Sequence, residues 1–207
     1  MLGERMFPDE IKGTNVLLGY DDLLSLVLKY GNFITCPSAL MRTAVFKKDL
    51  GGWNGRDFGY SADLDLWLRA ARKAPVGFIA KPLMSYRASD VSFSVALQKV
   101  RTVRHAIFKV IEAHYVPASA DSVARWNVKF LEAKDSALIC FNLMKKGEPL
   151  PSVVEKLSMS DNLRALATSS FHRHFALRIF AIRIFATLYR FGFLRSLLRR
   201  SISRIQA

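Results

Sequence analysis

The sequence predicts an α/β portion built on an incomplete mixed sheet, followed by an α-helical C-terminal region, and three observations carry that expectation. Residues 60–87, YSADLDLWLRAARKAPVGFIAKPLMSYR, pass from helical periodicity into short apolar runs bounded by Pro75 and Pro82. From Ser94 onward, apolar residues recur only at helical spacing. Charge is uneven as well, since the chain carries a net +14 and no acidic residue follows Asp161. With 207 residues, 51% of them hydrophobic, there is enough apolar material for one or two packed domains.

Residues 1–14 offer no core and read as a loop. Glu4, Arg5, Asp9, Glu10 and Lys12 leave no apolar stretch of signal-peptide length. Leu23, Leu24, Val27 and Leu28 predict a helix over Tyr20–Tyr30, opened by Asp21 and Asp22 and closed by Gly31. Residues 32–42 read as extended segments interrupted by Pro37. Thr43 is expected to cap a short helix through Asp49 that Gly51 and Gly52 end, and Gly55 to Gly59 reads as a flexible loop. For the next helix Ser61 is the expected N-cap. Leu64, Trp67, Leu68 and Ala71 form its buried face, Arg69, Arg72 and Lys73 complement its last turn, and Pro75 stops it. Val76 to Ala80 is a predicted strand, with a second extended run from Leu83 to Tyr86.

Beyond Ser94, Ala96, Val100, Val103, Ile107 and Val110 predict one helical stretch broken by Pro117. A second helix starts at Ser119 or Asp121, buries Val123, Trp126, Phe130, Ala137, Leu138, Phe141 and Met144, and stops at Gly147 and Pro149. Shorter helices are expected after Pro151 and Ser160. The predicted organisation is therefore 1–93 (α/β), 94–170 (helical extension) and 171–207 (basic apolar tail).

That tail starts about as apolar as a membrane span, but Arg178, Arg183 and Arg190 each cost about 2.5–3.5 kcal/mol at a bilayer centre, which disfavours spanning. Those arginines do not share a helical face, so 171–190 is not a clean amphipathic helix either. After Gly192, Leu194, Leu197, Leu198, Ile202 and Ile205 make one stripe, with Arg195, Arg199, Arg200 and Arg204 outside it. This pattern suits a helix lying on an anionic bilayer, and it predicts a peripheral protein on the cytoplasmic face of the cell membrane, attached through 194–205. Docking on protein is the alternative. Nucleic acid ranks last, because no recognition module is present and little polar spacing surrounds the arginines.

Only Cys36 and Cys140 are present, which argues against a disulfide framework or zinc site and suits a reducing compartment. His105, His114, His172 and His174 lie in helical regions with no acidic or cysteine partner at metal spacing. No Gly-x-Ser-x-Gly elbow, phosphate loop or Gly-x-Gly-x-x-Gly occurs.

The string Ala62-Asp63-Leu64-Asp65-Leu66-Trp67-Leu68-Arg69, followed by Pro82-Leu83-Met84-Ser85-Tyr86-Arg87, resembles the acceptor-side half of family-two glycosyltransferases. There a Glu-Asp-aromatic-Asp-Leu-Trp-Leu-Arg helix precedes a Pro-Leu-x-x-Tyr-Arg strand. Gly31 to Ile34, Pro37 to Arg42 and Leu50 to Trp53 resemble that family's segments in the same order and spacing, so the likeness covers residues 15–95. The chain departs from the pattern at Ala62, where the family has Glu, and at Ser89, where a His often follows.

The resemblance implies a partial GT-A fold and inverting transfer of a sugar from a nucleotide-sugar donor to a glycan or lipid-linked acceptor, in cell-surface polysaccharide synthesis. It makes Asp63 the base that takes the acceptor proton; read from the sequence alone, Asp63 merely stabilises a helix start. Arg42, Trp53, Asp65 and Arg87 become candidate substrate contacts, the arginines through bidentate pairing with phosphate. Asp65 also lies four residues before Arg69, a spacing that reads as a mainly structural surface ion pair. Trp67 is expected in the core. Asp63 and Asp65 point about 200° apart on a helix and cannot chelate one ion together. The Mn or Mg expected for the family thus finds its ligands largely missing here, because the Asp-x-Asp belongs to a nucleotide-binding half upstream of everything matched. On their own the 207 residues are expected neither to bind a sugar nucleotide nor to transfer sugar. A non-catalytic remnant or membrane-bound interaction module is the second reading, and a basic nucleic-acid-binding helical protein the third.

Overall fold

The computed structural model describes residues 8–85, 92–116, 121–151 and 159–190. They are mainly helical with a small two-stranded antiparallel sheet, and they divide into two compact units: Met1–Arg87 with His105–Val128, and Ala88–Arg104 with Lys129–Ala207.

In the first unit, β1 (Val16–Leu18) runs directly into α1 (Tyr20–Tyr30). The α1 helix buries Leu23, Leu26, Val27, Leu28 and Tyr30, and Gly31 ends it at φ 79°, a left-handed geometry that favours glycine. Strand β1 pairs antiparallel with β2 (Val76–Phe78) in the register Val16↔Phe78, Leu17↔Gly77, Leu18↔Val76. Asn15 Oδ1 accepts from the Ala80 amide at 2.9 Å and prolongs that pairing. The expected strands at 32–42 do not form. Pro37 sits instead in a 3-10 turn, Cys36–Ser38, closed by Ser38 N–H on the Thr35 carbonyl at 2.8 Å. No strand follows Pro82 among the described residues, and Tyr86 and Arg87 lie outside them.

The expected helix through Asp49 does form, but it widens into a π-helix over Val45–Asp49, where Leu50 N–H reaches the Val45 carbonyl five residues back at 3.0 Å. Gly51 and Gly52 leave it at φ 66° and 79°. The stretch read as a flexible loop is α2 (Gly55–Phe58) followed by a 3-10 turn, Gly59–Ser61. Because that turn feeds helical backbone straight into α3 (Ala62–Lys73), Ser61 is buried and makes no side-chain cap, contrary to expectation. Helix α3 is the centre of the unit. Ala62, Leu64, Asp65, Leu66, Trp67, Leu68 and Ala71 are all buried, with α1 on one side and α5 (Ile107–His114), through Phe108, Val110 and Ile111, on another. Each large apolar side chain so buried contributes about 1.5–3 kcal/mol.

The single helical stretch expected to run to Pro117 is interrupted. Helix α4 (Phe93–Val100) ends at Arg101, and α5 begins only at Ile107. A distant residue sets the break: Asn142 Nδ2 donates to the carbonyls of Gln98 (2.9 Å) and Arg101 (2.7 Å), satisfying groups that a terminating helix leaves unpaired. Helix α6 (Ser122–Lys146) is capped as predicted by Asp121, whose Oδ1 accepts from the Ala124 amide at 2.7 Å, and Gly147 ends it at φ 72°. In the second unit α7 (Met159–Thr168) and α8 (Ser170–Arg190) form a helical hairpin, with Phe130 of α6 against His172 at 4.7 Å between ring centroids. Among the described residues no helix is long and apolar enough to cross a membrane. The stripe at 194–205 lies outside the described residues.

Candidate functional site

Helix α3 opens to solvent at its last turn, where Arg72 and Lys73 are exposed, and its first turn is buried except at Asp63. Asp63 stands there half-buried, its Oδ1 accepting from the Leu64 amide at 2.7 Å. Gly31 turns the chain out of α1 so that Asn32 faces this carboxylate, donating from Nδ2 to the two oxygens at 3.4 and 3.3 Å, while Asn32 Oδ1 holds the Ile34 amide. Partial burial pushes the Asp63 carboxyl above the ordinary aspartate range and outweighs the hydrogen bonds from Leu64 and Asn32. A carboxylate in the first turn of a helix is ordinarily favoured in its ionised form, and desolvation reverses that preference here. Asp63 is thereby a stronger base than a free carboxylate. Burial also raises the Cys36 thiol, and the nearby Asp63 charge adds to that rise.

Asp65 is not at the surface. It is 2% exposed, Oδ2 takes Arg69 Nε at 2.8 Å, and Oδ1 meets His114 Nε2 at 3.0 Å. Both oxygens are therefore engaged inside the unit, and the expected surface ion pair joins a buried carboxylate to a partly exposed arginine. Arg69 continues the chain of contacts by donating to the carbonyls of Leu50 and Gly52, which pins the loop after the π-helix. That loop delivers Trp53, 49% exposed, edge-on to Trp67 (5.8 Å, 82°) and to Phe46 (5.6 Å, 65°). On its other side His114 meets Tyr20, whose hydroxyl lies 3.3 Å from Nδ1, donates to the His114 carbonyl at 3.0 Å, and accepts from Arg72 at 2.7 Å.

Burial, with Arg72 and Arg69 nearby, holds His114 below the ordinary histidine range despite the pull of Asp65. The neutral ring then donates from Nε2 to Asp65 and carries no proton on Nδ1. A depressed histidine contributes stability that is present above its unfolded value, about 6.5, and is lost as pH falls through its folded value. Urea melts across that interval should show stability falling on acidification, and His114→Gln should flatten this part of the slope. An unchanged slope in the variant would mean that His114 does not control it.

The structure thus groups Asp63 with Asn32 and Cys36, and Asp65 with Arg69, His114, Tyr20 and Arg72. Trp67 is core, as expected, at 8% exposure. Arg42 is an exposed loop residue, and Arg87 lies outside the described residues. Sequence reasoning assigned no role to Asn32, although the glycine before it marked a turn. It also missed His114, which lies 49 positions from Asp65 with no local signal. The Mn or Mg ion implied by the resemblance does not fit the described residues around Asp63. Among the described residues no three His, Cys, Asp or Glu side chains converge, and Asp63 is flanked by an amide and a thiol rather than the oxygen set such ions require. No family model matches the chain, and neither does any curated protein or solved structure.

Proposed function

We propose that this chain supplies the acceptor side of an inverting, GT-A-type, family-two glycosyltransferase that passes a sugar from a nucleotide-sugar donor to a glycan or lipid-linked acceptor in cell-surface polysaccharide synthesis. The carrying observation is Asp63: a half-buried carboxylate with raised basicity among the buried Ala62, Leu64 and Asp65 of the first turn of α3, in the string that resembles the family's base. In that role Asp63 accepts the proton of the acceptor hydroxyl as its oxygen bonds to the sugar carbon. The bond from that carbon to the diphosphate breaks on the opposite side, and the nucleoside diphosphate leaves with the electron pair. Trp53 offers a partly exposed aromatic face to a sugar ring, and Arg42 an exposed cation to phosphate. The Asp65–His114–Arg69 contacts position this machinery from below and touch no substrate.

A donor site with its metal is, in this reading, contributed by polypeptide outside these residues, and the basic segment 194–205 holds the enzyme peripherally on the inner face of the cell membrane. The test is transfer of labelled sugar from uridine and guanosine diphosphate sugars to the lipid and glycan fractions, by the complete product of the locus and by the same product lacking residues 15–95. Incorporation that requires those residues is expected. Equal incorporation with and without them would overturn the proposal and leave the non-catalytic module as the better account.

A further inference from the structure

Helix α8 has two apolar faces, and among the described residues one is buried and the other exposed. Phe171, Ala176, Ile179 and Tyr189 are buried, whereas Leu177, Phe180, Ile184, Phe185 and Leu188 are 38% to 58% exposed. At about 100° per residue, Leu177, Phe180, Ile184 and Leu188 fall on one stripe opposite the buried side. Arg178 lies about 100° to one side of Leu177 and Arg183 about 120° to the other, so these two arginines border the stripe. Arg173 is exposed at its N-terminal end, with Nε on the Leu166 carbonyl at 3.2 Å.

We infer that this exposed face of α8 docks on an anionic lipid bilayer, lying in its surface plane. Charge complementarity selects that occupant. Helix α8 carries no acidic residue, so a second copy packed face to face would set the exposed Arg173 and Arg178 against their own kind with no carboxylate of the helix between them. Anionic headgroups supply the missing charge, and the long arginine side chains reach them from the borders of the stripe while the apolar residues enter the acyl boundary. The inference deepens the peripheral placement proposed above, rests on different residues from 194–205, and does not depend on sugar transfer.

Flotation of the full chain with phosphatidylcholine vesicles, with and without phosphatidylglycerol, tests it. The parent is expected to float with the anionic vesicles and to be released by salt. Phe180→Ser with Ile184→Ser, both at exposed positions, should keep the circular dichroism of the parent and weaken flotation by about tenfold or more. A full-length chain with Arg195, Arg199, Arg200 and Arg204 all changed to Gln reads the other segment separately. If the serine variant floats like the parent, α8 is not the docking face, even where the glutamine variant falls off. A parent that binds neither vesicle, or one whose α8 face drives only concentration-dependent self-association, overturns the inference.

Discussion

Replacing Asp63 by Asn is expected to lower the proposed sugar transfer about a hundredfold or more, the usual scale for losing a general base, without weakening the fold. Asn keeps the shape and can still accept from Leu64 and Asn32, so the contacts that position the residue survive. What disappears is the basicity. The stability effect follows from the sign of the pKa shift. A carboxyl raised in the folded state contributes stability below its unfolded value, about 3.9, and loses that contribution as pH rises through its folded value. At neutral pH the ionised group is thus worse solvated in the fold than in the unfolded chain. Asp63→Asn should melt at the same temperature or higher near neutrality, with any gain vanishing on acidification below the aspartate range. Loss of activity without loss of stability marks a functional carboxylate. A variant that transfers sugar at the parent rate removes Asp63 as the base, and one that melts lower shows a residue serving the helix start.

The largest stability effect is expected in the second unit, at Asp135. Its carboxylate pairs with Arg101, whose side chain is 3% exposed and also donates to the Val103 carbonyl. Truncating Asp135 to Ala leaves a guanidinium buried without its counter-charge, and breaking a buried pair from one side costs about 3–5 kcal/mol. Denaturant melts should report a fall of that size. Replacing both partners, Arg101→Met with Asp135→Leu, removes the stranded charge and should recover most of the loss. A single variant within about 1 kcal/mol of the parent would mean that water reaches Arg101 and the pair is not enclosed.

How much of this was legible in the sequence follows from the reach of each interaction. Helix α1 reads correctly from Leu23, Val27, Leu28 and Gly31 because its face and its stop are local. The same holds for the body of α3 and for Asp121 and Gly147 at the ends of α6. Strand β1 escapes because three residues carry no period, and its partner is 60 positions away. The break after Val100 escapes because Asn142, not a proline or glycine, takes up the freed carbonyls. Asp63 was singled out through the family likeness and its place on α3. Asn32, Cys36 and His114 reach Asp63 and Asp65 only through tertiary folding, which local spacing does not encode.

The contact between Asp65 and His114 also orders events in time. On the ribosome, at about 5–20 residues per second, the segment carrying His114 emerges roughly 2–10 s after Asp65. Throughout that interval one oxygen of a carboxylate destined for the interior lacks its partner, and α3 lacks the apolar wall of α5. Closure of the first unit therefore waits for a segment that follows all of α4 in the chain. A nascent chain stalled before Ile107 should expose α3 amides to rapid hydrogen exchange, and one stalled well beyond Val128 should protect them.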